Sequence, residues 1–291
     1  MSEKVKTARL SIISNCSLIT MKIVAGLLSG SVSIISEAIH SGMDLLASII
    51  AFFSVRKSDT PPDTEHPYGH GKYENISGVI EAVLIFVAAI WIIYEAIHKL
   101  IKPASVENIG IGAAVMAVSA VVNFMVSRRL YQVAKKTDSI ALEADALHLK
   151  TDVYTSVGVA VGLFLMWISG WHMLDPVVAI CVALLIIKES YSLLRNAYSP
   201  LMDASLSADE TRIISEEIRK RNLAFHKLRT RKSGQYRFAD LHLEMPENME
   251  LKEVHRICDE IEKDIVTRIN HIEIVIHAEP LGKLKGSEGS R

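Results

Sequence analysis

Before Pro200 the chain is dominated by six apolar stretches, at residues 8–29, 31–54, 76–98, 108–128, 141–168 and 174–196, each long enough to cross a bilayer as a helix. In hydrocarbon every backbone N–H and C=O must be satisfied within the protein, which leaves helices or closed barrels as spanning structures. These stretches are not plain anchors. Asn15, Glu81 and Asn123 interrupt them, and two of them carry the same short pattern, His-x-x-x-Asp: His40 with Asp44, and His148 with Asp152. An ionisable side chain at mid-bilayer costs roughly 2.5–3.5 kcal/mol on insertion scales and usually faces a bundle interior or a watery path. Four of them in matched pairs call for a common purpose.

Residues four apart share one face of a helix, so each pair can offer a nitrogen and an oxygen to one ion. Two such helices supply four ligands. Zinc is typically four-coordinate with N, S or O ligands, whereas calcium and magnesium take six or more oxygens. Two imidazoles therefore point to zinc or a neighbouring transition metal. The competing reading is a set of interhelical hydrogen bonds, which two identical pairs make the weaker explanation. Asp145, three residues before His148, and Glu37, one turn before His40, are placed behind the ligands or in a vestibule. Glu81 reads either as a pathway residue or as an interfacial charge, with the balance toward the interface.

Lys and Arg set the orientation. Lys4, Lys6, Arg9, Arg56, Lys57, Lys72, Arg128, Arg129, Lys135 and Lys136 fall on one side of the six spans, and only Lys99 and Lys102 on the other. Both termini are expected in the cytoplasm. A formal charge of −1 over 291 residues argues against a nucleic-acid partner. The first apolar stretch is too long for a cleavable signal and lacks a small-residue cleavage motif. Cys16, Cys181 and Cys258 form no C-x-x-C and read as small packing residues.

After Pro200 the composition becomes that of a charged globular tail, so the chain divides at 1–200 and 201–291. Ser207 with Glu210 is a capping box opening a helix to about Arg221. Strands are expected at 226–232 and 235–245, a helix at 250–269 and a last strand at 271–279, a small α+β sandwich. Alternation gives the core face to Leu241, Leu243, Ile272, Ile274 and Ile276. His242, Glu244, His277 and Glu279 are left on the other face, where His226 can join them as a metal site or as part of a solvated surface.

The six spans, the two His-x-x-x-Asp pairs, the run His66-Pro67-Tyr68-Gly69-His70-Gly71-Lys72 and the histidine-bearing tail together resemble the cation diffusion facilitator family over nearly the whole chain. The resemblance implies a homodimeric metal/proton antiporter that moves a divalent cation, usually zinc, out of the cytoplasm. It implies six transmembrane helices followed by a cytoplasmic ferredoxin-like, metallochaperone-like α+β domain that dimerises and responds to metal. Position by position, His40, Asp44, His148 and Asp152 resemble the transport site, and histidine at the first position resembles zinc-preferring members. Asp63, His66 and His70 resemble a loop site. His226, His242, His255, His277 and Glu279 resemble a binuclear tail site in which His255 reaches across the dimer. Glu279 stands where an aspartate is expected, which puts the tail's stoichiometry in question. Lys72 and Asp203 resemble a charge interlock between the two membrane domains.

Histidine titrates near pH 6.5 (approximately, when unperturbed), so His40 and His148 suit proton exchange against zinc by alternating access. Zinc is then a substrate and a regulatory ion, with no cofactor and no enzymatic activity. A membrane metallohydrolase would need an open coordination position and a general base, and no HExxH occurs in the chain. A membrane-anchored metal sensor would need the tail sites but not the buried quartet. Within transport, an iron or manganese exporter is the alternative. The short termini and the lack of a histidine-rich loop between spans four and five favour a bacterial inner membrane.

Overall fold

A computed structural model describes residues 2–29, 32–101, 110–169 and 173–281. The side chains of some helix residues, Glu37 and His40 among them, also lie outside the description. The chain forms two compact units, Met1–Tyr198 and Ser199–Arg291.

Among the described residues the regular structure of the first unit is helical: α1 (Glu3–Ser29), α2 (Val32–Ser58), α3 (Lys72–Ile101), α4 (Gly110–Thr137), α5 (Ile140–Ser169) and α6 (Leu174–Tyr198). Among the described residues three segments, Glu3–Ala25, Lys72–His98 and Pro176–Met202, are long and apolar enough to cross a membrane by composition. Of the other helices, α2 and α5 carry the His-x-x-x-Asp pairs and α4 carries Asn123 and Arg128.

Pairing is mainly α3 with α6, α1 with α2 and α4 with α5. Small residues make these approaches close. A Cβ on Gly158 of α5 would sit 2.8 Å from Val182 Cγ2 of α6, and one on Gly78 of α3 would meet Ala197 Cβ at 3.0 Å and Ile140 Cγ1 at 3.4 Å. Asp138, with φ 52°, turns the chain between α4 and α5, and the Ser139 hydroxyl then accepts from the Leu142 N–H at the start of α5. Cys16 and Cys181 are exposed rather than packed, so the expectation of small packing residues fits only Cys258, which lies against the tail's core.

The second unit runs α7 (Ala208–Arg219), β1 (Phe225–Ser233), β2 (Tyr236–Met245), α8 (Leu251–Arg268) and β3 (Ile272–Pro280). The Ser207–Glu210 capping box is formed in both directions. Gly234, with φ 59°, supplies the positive φ needed by the two-residue link between β1 and β2. The sheet order is β1-β2-β3, antiparallel then parallel, with α8 as the crossover. Ile214 and Ile218 of α7, Ile261 and Ile265 of α8, and Leu241, Leu243, Ile272 and Ile274 of the sheet form one buried core.

One irregularity in β1 decides which way a histidine points. His226 pairs with His242 and Arg229 with Asp240, so β1 contains one residue more than β2 over that interval. Lys227, with φ 50°, absorbs it as a β-bulge. Phe225 and Leu228 both reach the core although three residues apart, and His226 is released to the opposite face. Simple alternation from Leu228 would have turned His226 inward.

Candidate metal centre

In the helical unit, Asp44, His148 and Asp152 bring ligand atoms within 4.8 Å of one another. Asp44 comes from α2, and His148 and Asp152 from one face of α5. The His148 Nε2 lies 3.0 Å from Asp44 Oδ1. Amides from two further helices hold the carboxylate-bearing residues: Asn123 Nδ2 of α4 donates to Asp152 Oδ2 at 3.3 Å, and Asn15 Nδ2 of α1 donates to the Asp44 carbonyl at 3.3 Å and to Ser48 Oγ at 2.8 Å. These are the asparagines that interrupt the apolar stretches. His40, one turn before Asp44 on α2, lies outside the described side chains, as does Glu37.

The three residues form the inner end of a cavity of about 520 Å³. Its walls include Leu84, Trp91 and Glu95 of α3, Thr155 and Gly158 of α5, and Pro176 of α6. These are the later parts of α3 and α5 and the beginning of α6, so the cavity extends away from the end where Lys72 and Ile140 start their helices. On the other side of His148 the packing is dense. Asp145 and Glu81 have zero exposure, so Glu81 is not the interfacial charge its sequence position suggests. Ser48 Oγ donates to Asp145 Oδ1 at 2.9 Å, and Ser77 Oγ donates to Glu81 Oε1 at 3.0 Å.

A second cluster lies in the loop between α2 and α3, where Asp63, His66 and His70 also converge within 4.8 Å. The Gly69 N–H donates to the His66 carbonyl at 2.9 Å, closing a turn with Pro67 at its second position and Gly69, φ 79°, at its end. That turn folds the two imidazoles back to a centroid separation of 4.6 Å. His70 is buried, and neither ring nitrogen has a hydrogen-bond partner although Nε2 is 3.2 Å from Asp63 Oδ2. A buried imidazole without a donor or acceptor is costly unless another ligand completes it. The His66 backbone N–H and the nearby imidazoles hold the Asp63 carboxyl below its ordinary value, ready to act as an anion.

In the tail, His226, His242 and Glu279 converge within 4.8 Å. The register aligns His226 with His242 and His242 with His277 across all three strands. The His226 Nε2 is 2.8 Å from Glu279 Oε1 but lacks hydrogen-bond alignment, and its Nδ1 is 3.3 Å from Glu244 Oε1. His242 Nδ1 lies 3.1 Å from Glu279 Oε2; this contact, then the nearness of His226, holds Glu279 below the usual carboxylate range. His277 is exposed, with its ring 4.7 Å from that of His242. His255 is not brought to this cluster. It sits exposed on α8, 3.5 Å from Asp259, and α8 packs on the core face rather than the histidine face of the sheet. Asp203, φ 54°, lies 3.6 Å from Arg231 within the tail unit, while Lys72 opens α3 in the helical unit.

Residues 8–202 match the cation efflux transmembrane domain and residues 203–281 the cytoplasmic domain of cation efflux proteins. The chain belongs to the cation diffusion facilitator family. An uncharacterized transporter of Synechocystis is 36% identical over 264 residues, 90% of this chain and 85% of its own. The cation-efflux pump FieF of Salmonella paratyphi A is 33% identical over 265 residues, covering 90% of this chain and 88% of that one. The metal-bound C-terminal domain of the CzcD transporter from Thermotoga maritima is 29% identical over 26% of this chain and 93% of its own, with a TM-score of 0.25. This facilitator is thus an integral membrane transporter for metal cation efflux, and its tail domain indicates dimer formation.

One group escaped the sequence reading. Glu74, near the start of α3, is buried and accepts from Lys4 Nζ at 2.9 Å, from Ser58 Oγ at 2.6 Å and from Ser139 Oγ. Lys4 is also 2.7 Å from Asp59. Lys4 reads in sequence as one of several orienting charges, and only the folded bundle shows it to be buried.

Proposed function

We propose that this facilitator is a zinc-for-proton antiporter that exports zinc from the cytoplasm through six transmembrane helices. The observation that carries the reading is the meeting of Asp44, His148 and Asp152 at the inner end of a 520 Å³ cavity in a helical membrane unit. His40 completes a tetrahedral N₂O₂ set from its place one turn before Asp44. Such a cage suits zinc and excludes magnesium, which keeps an octahedron of oxygens.

Zinc binding requires both aspartates ionised and both imidazoles neutral, so protons arriving from the outer side compete the ion off. With the termini in the cytoplasm of a bacterial inner membrane, the cavity opens outward and the packing around Asp145 and Glu81 closes the inward path. The structure then corresponds to the release-competent half of the cycle, in which protons reach His148 and zinc leaves. Asp63, His66 and His70 form a cytoplasmic loop site. His226, His242, His277 and Glu279, with His255 supplied from the partner copy, form the regulatory tail site of a homodimer. Orphaned nitrogens on His70 and His226 support metal at both.

The deciding experiment is zinc flux into vesicles containing the purified protein, with and without an imposed proton gradient, for the wild type and Asp152→Ala. Gradient-driven flux that the variant loses is expected. Zinc binding without flux in the wild type would replace the transporter with a membrane-anchored sensor. Iron or manganese flux without zinc flux would keep the transport site and overturn the substrate.

A further inference from the structure

The cation must reach His148 from the side that is packed shut in this conformation, and that packing contains two acids the transport site does not use. We propose that Glu81 and Asp145 form an all-oxygen waypoint for a divalent cation on the cytoplasmic approach to the transport site. The proposal rests on reading the cavity as outward facing.

The placement follows from helix register. Gly78 of α3 packs on Ile140 of α5, an offset of 62 residues. Further along, Trp91 and Glu95 share the cavity wall with Thr155 and Gly158, an offset close to the same value, so α3 and α5 run in the same direction side by side. Glu81 therefore lies at the level of residues 143–145, and each of Glu81 and Asp145 falls within electrostatic range of the other and of His148. At 1.5 Å per residue, Asp145 lies about 4.5 Å along α5 from His148, on the side away from the cavity.

Both carboxyl groups have zero exposure, and each is half satisfied. Serine hydroxyls hold Glu81 Oε1 and Asp145 Oδ1, while Glu81 Oε2 and Asp145 Oδ2 have no hydrogen-bond partner. A buried acceptor left unmade is expensive, and two in one seam are more than a bundle needs for adhesion. Ser11, Asn15, Ser48 and Ser77, all buried, line the same seam and join α1 and α2 to it. Together they make an oxygen-rich strip that is collapsed here and becomes a conduit when the cytoplasmic half opens. Two carboxylates can then strip part of a divalent cation's hydration and pass it one helical turn to His148. Oxygen ligands alone discriminate poorly among divalent metals, so this station attracts the ion and selectivity stays with the imidazoles.

The test compares initial zinc uptake by inside-out vesicles, whose cytoplasmic face is exposed to the medium, for the wild type, Glu81→Gln, Asp145→Asn and the double variant. The waypoint predicts a KM raised about tenfold, equivalent to about 1.4 kcal/mol, at a kcat within about twofold of the wild type. The double variant should lose no more than either single one, because both acids serve one ion. Equilibrium zinc affinity of the transport site, measured on detergent-purified protein carrying His70→Ala and His242→Ala to silence the other clusters, should not change. A lowered kcat at constant KM would make the pair a structural element, and a weakened transport site would make it a positioning shell; either overturns the proposal, as does no effect. A wild type that moves manganese instead of zinc would fail the zinc reading alone, and the same comparison is then read with manganese. A wild type that moves no cation overturns both.

Discussion

Cutting the Glu74 cluster should shift the bundle toward its inward-open form. Glu74 ties α3 to α1 through Lys4, to α2 through Ser58 and to α5 through Ser139, all at the end opposite the cavity. Because Lys4 and Glu74 have side-chain exposures of 5% and 2%, solvent screening does little to weaken the pair. In Glu74→Gln the amide oxygen can still accept, but the charge is lost. Ser139 must reverse its hydroxyl while it also serves the first turn of α5. Hydrogen bonds to charged groups contribute about 1.5–3 kcal/mol each and neutral ones about 1 kcal/mol. With Asp59 still neutralising Lys4 at 2.7 Å, the net loss is about 2–3 kcal/mol. On the outward-facing reading proposed above this end is the closed one, and a latch that opening breaks lets the closed-to-open ratio fall about 30- to 150-fold.

The assay is labelling of Ala88→Cys, on the cavity wall, by a membrane-impermeant maleimide from the outer side, in a background without Cys16, Cys181 and Cys258. Adding Glu74→Gln should slow labelling about 4- to 16-fold for a parent that is about 90% outward open. An unchanged rate in a variant that stays folded in detergent would refute the argument. Lys4→Met combined with Glu74→Gln and Asp59→Asn, which removes both acids together with the cation they share, separates latch from fold. Replacing a whole buried pair is often neutral for stability, so thermal stability should recover while labelling stays slow.

Gly158→Ala should lower the thermal midpoint, because its methyl meets Val182 Cγ2 at 2.8 Å on a stiff β-branched side chain; overpacking of this kind costs about 1–3 kcal/mol, and Gly158→Ala with Val182→Ala should restore the midpoint. Glu217 of α7, buried and bonded first to Lys220 and then to Arg268, is held below its ordinary value. Its stabilising contribution is therefore present above the unfolded carboxyl value of about 4.3 and is lost as pH falls through the lower folded value. Amide exchange in α7 and α8, corrected for intrinsic rates, should accelerate on acidification in the wild type, and Glu217→Gln should flatten that dependence. In the tail, His226→Ala should weaken zinc binding read by chelator competition without altering the exchange protection of the core. Equal binding in the two proteins would dismiss the three-residue cluster.

Periodicity made most of the architecture legible. The tail's two helices and three strands fall within a residue or two of where capping and alternation place them, since the Ser207 box and the Leu241/Leu243 alternation are local signals. The His-x-x-x-Asp spacing likewise locates Asp44, His148 and Asp152, because a helix fixes which residues share a face before any tertiary contact forms. Sequence fails where a residue's meaning depends on a neighbour far along the chain. Glu81 looks like a charge at a membrane surface until α5 is laid beside it, and Lys4 looks like one more orienting cation until Glu74 is found 70 residues away. His226 is the subtler case. The sequence admits it to the face of His242 and Glu279 from its place at the start of the strand, although alternation from Leu228 alone points it to the core; a single inserted residue, taken up by Lys227 at positive φ, settles the conflict by turning it to their face. A bulge of that kind costs ladder hydrogen bonds and is kept where it aims a side chain. Straightening it by deleting Lys227 should therefore leave a paired sheet with its core intact and a tail that binds zinc through His242 and Glu279 alone.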